Sequence, residues 1–229
     1  MSNNTTARLA GFVYLLLVIT GIYNLIYVPS QLINMQDAVA TVENISNNEL
    51  LFRSGIVVGI LSYIIYLILP FVLFKLFQEI NRDVAVMMVV LSVVSVPVSL
   101  FNMVNKVDVL TLLSHASFLS QFDMQTIQAK VMMSLNSYNN GIAVVQIFWG
   151  LWLLPFGYLT FKSGYVPRIL GVCLMLGCFG YLTVFLTNML FPEITIPSVV
   201  SKPASIGEIG TCLWLLIMGN KPTRTLEKG

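Results

Sequence analysis

Seven polar or charged side chains stand inside or beside strongly apolar segments, where each is costly and therefore calls for a reason. They are Arg53, Asn102, Lys106, Asn139, Asn140, Gln146 and Glu208. Cationic, amide and carboxylate groups gathered at one side of a helical bundle can line a polar cavity for a small molecule or a lipid. We therefore expect an outward-facing polar cavity that contains these residues.

The spacing of these residues suggests how they are grouped. Asn102 and Lys106 are four residues apart, so they share one face of a helix. Asn139, Asn140 and Gln146 form a rough stripe on the next predicted helix. Arg53 and Glu208 are the natural ion pair to propose. Two simpler explanations stay open, because boundary charges can reach towards the headgroups and polar side chains can hold neighbouring helices together.

Little else in the sequence indicates chemistry. His115 is the only histidine, which excludes a bis-histidine haem within one chain, and the serines near it show no nucleophile-elbow pattern. Cys173, Cys178 and Cys212 lie in apolar runs without a metal-binding spacing, which favours reduced packing residues. We predict no cofactor and no metal. Enzymatic action on a lipid-like substrate through His115 is the least favoured hypothesis.

Composition defines the elements that must position these groups. Hydrophobic residues make up 57% of the 229 residues and charged residues 10%, against about 45–50% and about 25% in soluble domains. The sequence predicts an all-α, polytopic membrane helical bundle, formed as one membrane domain over residues 1–229. Six segments approach the length needed to cross a bilayer: 9–28, 52–74, 84–104, 142–161, 169–191 and 206–218.

Basic residues predict the orientation, because they are enriched in cytoplasmic loops. One set of connections and ends holds eight of them: Arg8, Lys75, Arg82, Lys162, Arg168, Lys221, Arg224 and Lys228. The opposite set holds four: Arg53, Lys106, Lys130 and Lys202. We expect a multi-pass protein of the inner (plasma) membrane with both termini in the cytoplasm.

The first long outer connection, residues 29–51, carries an apolar residue at every third position. Val39, Val42 and Ile45 follow Asp37, a residue type that often caps the first turn of a helix. This pattern predicts a short amphipathic helix that lies at the membrane interface.

The remaining connections carry helix-end signals. We expect Asp83 to cap the third span, Asp123 to cap a helical lead-in to the fourth, and Gly164 to end the fourth. The third helix should continue beyond the membrane. Gly141 could kink or loosen the helix that contains it.

Gly55 and Gly59 form a GxxxG motif within an apolar helix, a pattern typical of close helix packing. This motif supports an alternative function, that of a structural or regulatory subunit that packs against itself or another membrane protein. Membrane lipids are expected partners of either kind of protein. A net charge of +2 with no basic run excludes nucleic acid as a partner.

Four stretches in this order resemble the bacterial membrane proteins grouped as domain of unknown function family 4386: 8–16 (RLAGFVYLL), 51–55 (LFRSG), 157–159 (GYL) with 162–171 (KSGYVPRILG), and 207–210 (GEIG) followed by 213–216 (LWLL). The resemblance covers about residues 7–219. It implies a six-helix membrane protein, raises interest in Arg53, Arg168 and Glu208, and assigns them no role.

Overall fold

The computed structural model describes residues 3–114 and 116–220. This part of the chain is helical and contains no strand. The helices are α1 (Asn3–Ile22), a π-helical turn (Tyr23–Tyr27), α2 (Val28–Leu32), α3 (Ala38–Asn47), α4 (Glu49–Phe77), α5 (Arg82–Asn102), α6 (Val104–Leu112), α7 (Met124–Leu151), α8 (Leu153–Ser163), α9 (Arg168–Leu190) and α10 (Lys202–Ile217). Two short 3₁₀ turns cover Ser117–Leu119 and Ser198–Val200.

Five helical stretches are long and apolar enough to cross a membrane, which indicates a multi-pass membrane protein. They are Asn3–Leu32, Glu49–Phe77, Arg82–Leu112, Met124–Ser163 and Arg168–Leu190. The first five predicted spans each lie almost wholly within one of these stretches. α10 has 16 residues, or about 24 Å of helix, and a bilayer core is about 30 Å thick. A sixth crossing therefore stays a prediction.

The first span contains a π-helical turn, and a proline explains its position. Pro29 has no N–H group and its ring would clash with the carbonyl of Leu25 in a regular helix. The chain widens just before it, where the Val28 amide donates to the Tyr23 carbonyl oxygen five residues back. Such π-turns are frequent at functional sites, and this one contains the buried side chain of Asn24.

Two of the predicted caps are confirmed. The Asp37 carboxylate accepts a hydrogen bond of 2.9 Å from the Ala40 amide at the start of α3. The Asp123 carboxylate accepts one of 2.7 Å from the Thr126 amide at the start of α7. Each acid therefore satisfies an amide that has no partner within its helix.

The capping residue of α5 differs from the predicted one. The Val84 amide donates to the Asn81 side chain at 3.1 Å, so Asn81 is the capping residue and the prediction of Asp83 is wrong. Asp83 lies in the first helical turn instead, where a negative charge still favours the helix dipole. The predicted end of the fourth span at Gly164 is confirmed, with a φ angle of 76° that favours glycine.

The predicted short helix in the first long connection is present as α3. Val42 and Ile45 are buried, but Thr41 rather than Val39 completes the buried face. Thr41 exchanges two hydrogen bonds with the backbone of Asn34, at 2.9 and 2.8 Å. The location of α3 at a membrane interface stays a prediction.

Contacts divide the chain into two compact units. The first unit consists of the described residues of Met1–Leu16, Ile65–Val96 and Val144–Gly229, and the second of those of Leu17–Ile64 and Pro97–Ala143. In the first unit, α9 packs against both α8 and α10. A Cβ atom on Gly207 would lie 2.8 Å from the Leu174 backbone nitrogen, so α10 approaches α9 as closely as a glycine allows.

Candidate functional site

Lys106 carries a positive charge into the core of the second unit. Only 2% of its surface is exposed. Its ammonium donates a hydrogen bond of 2.9 Å to the side-chain oxygen of Asn24 and lies 4.2 Å from the centroid of the Tyr138 ring. Within the described chain, no carboxylate forms an ion pair with it.

The groups around the Lys106 ammonium replace its hydration by water only in part. Burial of an ammonium group costs several kcal/mol, even after relaxation, unless other groups compensate. Here one amide oxygen and the negative face of one aromatic ring provide that compensation. Lys106 therefore leaves the second unit with a cation that no described carboxylate neutralises.

Asn102 joins the same polar cluster, as predicted from its spacing to Lys106. Its side-chain amide donates to the Tyr138 carbonyl oxygen at 2.9 Å. A Cβ atom on Gly141 would collide with the Asn102 amide. α7 continues as a helix through Gly141, so the glycine serves this close approach and not the predicted kink.

A groove lies beside this cluster, on α6 and α7. Its volume is about 390 Å³. Polar residue types outnumber apolar ones in its lining, which consists of Asn105, Asp108, Thr111, Leu112, Lys130, Met133, Ser134 and Ser137. Asn105 connects the groove to the buried cluster, because its amide donates to the Asn102 side-chain oxygen at 3.0 Å.

The groove presents charges of both signs that do not neutralise each other. Asp108 and Lys130 both line it, yet neither takes part in an ion pair with a described residue. The Lys130 ammonium instead lies 3.5 Å from the centroid of the Phe122 ring. Both charges are therefore available to a ligand that carries the opposite charge at each end.

Other predicted site residues are placed elsewhere. Asn139 and Asn140 are exposed, and the only partner seen for Asn139 in the described chain is the Met35 sulfur at 3.9 Å. The predicted ion pair between Arg53 and Glu208 is wrong, since Arg53 pairs with Glu49 one turn away, at 2.6 Å. That partner is nearer in sequence and both side chains are exposed, so the pair forms without a cost in burial.

Glu208 and Gln146 belong to the first unit, where both are half-buried. The Glu208 carboxylate accepts a hydrogen bond of 3.1 Å from the Tyr14 hydroxyl. Tyr66 and Tyr181 interact electrostatically with the same carboxylate. Glu208 thus has three phenols around it in place of the predicted arginine.

Several site residues are not predicted from the sequence. Asn24 interrupts an otherwise apolar span five residues before a proline, and that signal was available. No sequence signal marks Tyr138 or Tyr14. Only the fold brings Tyr138 to Lys106 and Tyr14 to Glu208. His115 lies outside the described residues. The described residues contain no group of three or more histidine, cysteine or acidic side chains that could hold a metal ion.

Comparison with known proteins supports the resemblance noted in the sequence. No curated relative and no solved structure matches the chain. The family model described as domain of unknown function (DUF4386) matches residues 9–219, nearly the whole chain. The four stretches quoted above overlap or lie within that range, and the predicted resemblance is confirmed. The chain therefore belongs to the family of domain of unknown function 4386.

Proposed function

We propose that this membrane protein binds a zwitterionic amphiphile, a lipid with an ammonium and a phosphate in its headgroup, in the groove on α6 and α7. The observation that carries the proposal is the pair of unneutralised charges, Asp108 and Lys130, on the lining of one groove. A ligand ammonium would meet Asp108 and a ligand phosphate would meet Lys130. Charge-assisted hydrogen bonds of this kind are about twice as strong as neutral ones.

The other lining residues fit the same ligand. The hydroxyls of Ser134 and Ser137 can donate to phosphate or ester oxygens, whereas the Thr111 hydroxyl donates to the Val107 carbonyl oxygen at 3.3 Å. Met133 is 69% exposed beside them and offers apolar surface to an acyl chain. The volume of about 390 Å³ lies within the range of about 300–1,000 Å³ that is typical of ligand sites.

The buried cluster of Lys106, Asn24, Asn102 and Tyr138 adds a positive charge beside the groove. Lys106 adds a positive charge that no described carboxylate neutralises, and electrostatic forces are strong where water is excluded. Asn105 links that cluster to the groove through Asn102. This arrangement favours the anionic end of the ligand near Asn105 and Lys130.

The proposal includes a topology. We place the chain in the inner membrane with both termini in the cytoplasm, α10 as a sixth crossing and α3 at the interface. The distribution of lysine and arginine supports this orientation, which opens the groove to the outer side. The GxxxG motif no longer favours the alternative function as a structural or regulatory subunit, because a Cβ atom on Gly55 or Gly59 would press on Val28 or Asn24 of the same unit.

Binding of defined lipids tests the proposal. The purified full-length chain in detergent is titrated by calorimetry with short-chain phosphatidylethanolamine, with phosphatidylglycerol, and with free phosphoethanolamine. We expect phosphatidylethanolamine to bind, and Asp108→Asn and Lys130→Gln each to weaken it about 10-fold, from the loss of one hydrogen bond to a charged group. Glu43→Gln, an exposed charge change on α3, is the matched control.

Each reagent answers a separate question. Phosphatidylglycerol lacks the ammonium, so equal binding of the two lipids would contradict the role of Asp108. Binding of free phosphoethanolamine with the affinity of the lipid would identify a water-soluble zwitterion as the ligand. Unchanged affinity in both groove variants would refute the site.

A further inference from the structure

Glu208 is a carboxylate without a cationic partner among the residues that the structure describes. It is half-buried on α10, and its carboxylate receives one hydrogen bond, from Tyr14 on α1. In the described chain the single ion pair joins Arg53 to Glu49, so no lysine or arginine neutralises Glu208. A carboxylate in this position is either charged at a considerable cost or carries a proton.

A second buried phenol interacts with this carboxylate. Tyr66 of α4 is 6% exposed, and its buried hydroxyl has no hydrogen bond of ordinary geometry, although Ser92 and Ser95 lie near it. Tyr66 interacts electrostatically with Glu208. Buried polar groups nearly always have partners, so a hydroxyl with only these two poorly aligned neighbours has capacity for another partner.

Aromatic rings pack against the Tyr14 and Tyr66 side chains. The Trp152 and Phe156 rings stack with centroids 5.0 Å apart, and Tyr66 meets Trp152 edge-on at 5.5 Å. The Tyr14 ring packs against Trp152 at 6.4 Å. Rings at these separations are in direct contact, which leaves no room among them for an organic cation. A proton requires no such space.

We propose that Glu208 is a proton-binding site, at which the carboxylate takes up one proton from water and releases it again to water. The charged carboxylate accepts the hydrogen bond from Tyr14. The neutral acid gains an O–H donor, and the proposal gives it the phenol oxygen of Tyr66 as acceptor, because Tyr66 interacts electrostatically with Glu208 and its hydroxyl has no hydrogen bond of ordinary geometry. In this proposal the Tyr66 hydroxyl is the partner of the protonated state.

The titratable groups that interact with Glu208 from other helices are consistent with this role. They are Tyr14 of α1, Tyr66 of α4 and Tyr181 of α9. Cys212, one turn further along α10, interacts electrostatically with Tyr14 and donates to the Gly11 carbonyl oxygen at 3.5 Å. None of these groups is a cation that would hold the carboxylate in its charged form. The site uses residues of the first unit only, so it stands whether or not the groove binds lipid.

Infrared difference spectroscopy of the full-length chain in lipid nanodiscs tests the proposal. A pH titration from about 4 to about 9 covers carboxyl groups in water and in protein interiors. We expect a C=O band of a protonated carboxyl group that appears and disappears reversibly. The band should be lost in Glu208→Gln, retained in Glu208→Asp, and shifted in Tyr66→Phe because the acceptor is gone.

A difference spectrum that is identical in the wild type and Glu208→Gln would overturn the proposal. Circular dichroism and size-exclusion chromatography show whether each variant folds. If Glu208→Gln does not fold, the comparison of Tyr66→Phe with the wild type decides. A shifted band supports the site and an unshifted band overturns it.

Discussion

The ammonium of Lys106 on α6 donates a hydrogen bond of 2.9 Å to the side-chain oxygen of Asn24, in the π-helical turn of the first span. Both side chains are buried, and they are 82 residues apart in the chain. The bond links two helices of the second unit at the π-helical turn that precedes Pro29. Asn24 thus compensates a charge that would otherwise face apolar side chains.

Replacement of Asn24 should cost more than replacement of Lys106. Asn24→Leu leaves the buried ammonium without its amide partner, whereas Lys106→Met removes the charge and keeps a side chain of similar length. We expect Asn24→Leu to lower the free energy of unfolding by about 1–3 kcal/mol more than Lys106→Met does. Unfolding of each variant in mixed micelles with increasing dodecyl sulfate measures this difference.

The double variant measures the coupling between the two side chains. Coupling energies of buried polar pairs in membrane proteins average about 0.6 kcal/mol and reach about 1.7. A pair that includes a buried charge should lie at the upper end of that range. Additive effects in the Asn24→Leu, Lys106→Met double variant would mean that the bond contributes nothing to stability.

Gly141→Ala should destabilise the second unit. The added Cβ atom would collide with the Asn102 amide, which is held by its bonds to Tyr138 and Asn105. Overpacking of this kind costs about 1–3 kcal/mol. Gly21→Ala is the matched control, because nothing lies within 4 Å of a Cβ atom there, and it should be neutral or stabilise the helix by up to about 1 kcal/mol. Equal stabilities of the two variants in the same unfolding assay would contradict the close approach.

The helices could be predicted because their signals are local. The length of an apolar run that crosses a bilayer is set by the thickness of the bilayer and not by contacts with the rest of the fold. The caps at Asp37 and Asp123 depend on only the three residues that follow each of them. The error at α5 has the same origin. Asn81 and Asp83 are both good caps, and the choice between them depends on where the turn from α4 ends.

The site could be predicted only in part, because its partners are distant in the chain. Asn102 and Lys106 were predicted to lie together from their spacing on one helix. Nothing local could show that Asn24 completes their cluster or that Tyr14 is the hydrogen-bond donor to Glu208. Arg53 was assigned a distant partner, although Glu49 is four residues away and on the same face of α4.

The start of α7 should depend on pH through Asp123. Hydrogen bonds from the Thr126 side chain and amide hold the pKa of the Asp123 carboxyl below its usual range. Because the folded-state pKa is lowered, this stabilisation is fully present above the ordinary aspartate pKa of about 3.9 and is lost as the pH falls through the folded-state value. The first turn of α7 should therefore open in acid. Hydrogen exchange at the Thr126 amide, expressed as a protection factor at about pH 6 and about pH 3, measures that opening.

Two variants separate the cap from its charge. Asparagine caps helices as well as aspartate does but does not titrate in this range, so Asp123→Asn should keep the Thr126 amide protected at both pH values. Asp123→Ala removes the acceptor and should leave that amide unprotected at both. If the wild type loses no more protection in acid than Asp123→Asn does, the carboxylate of Asp123 is not what makes the start of α7 sensitive to pH.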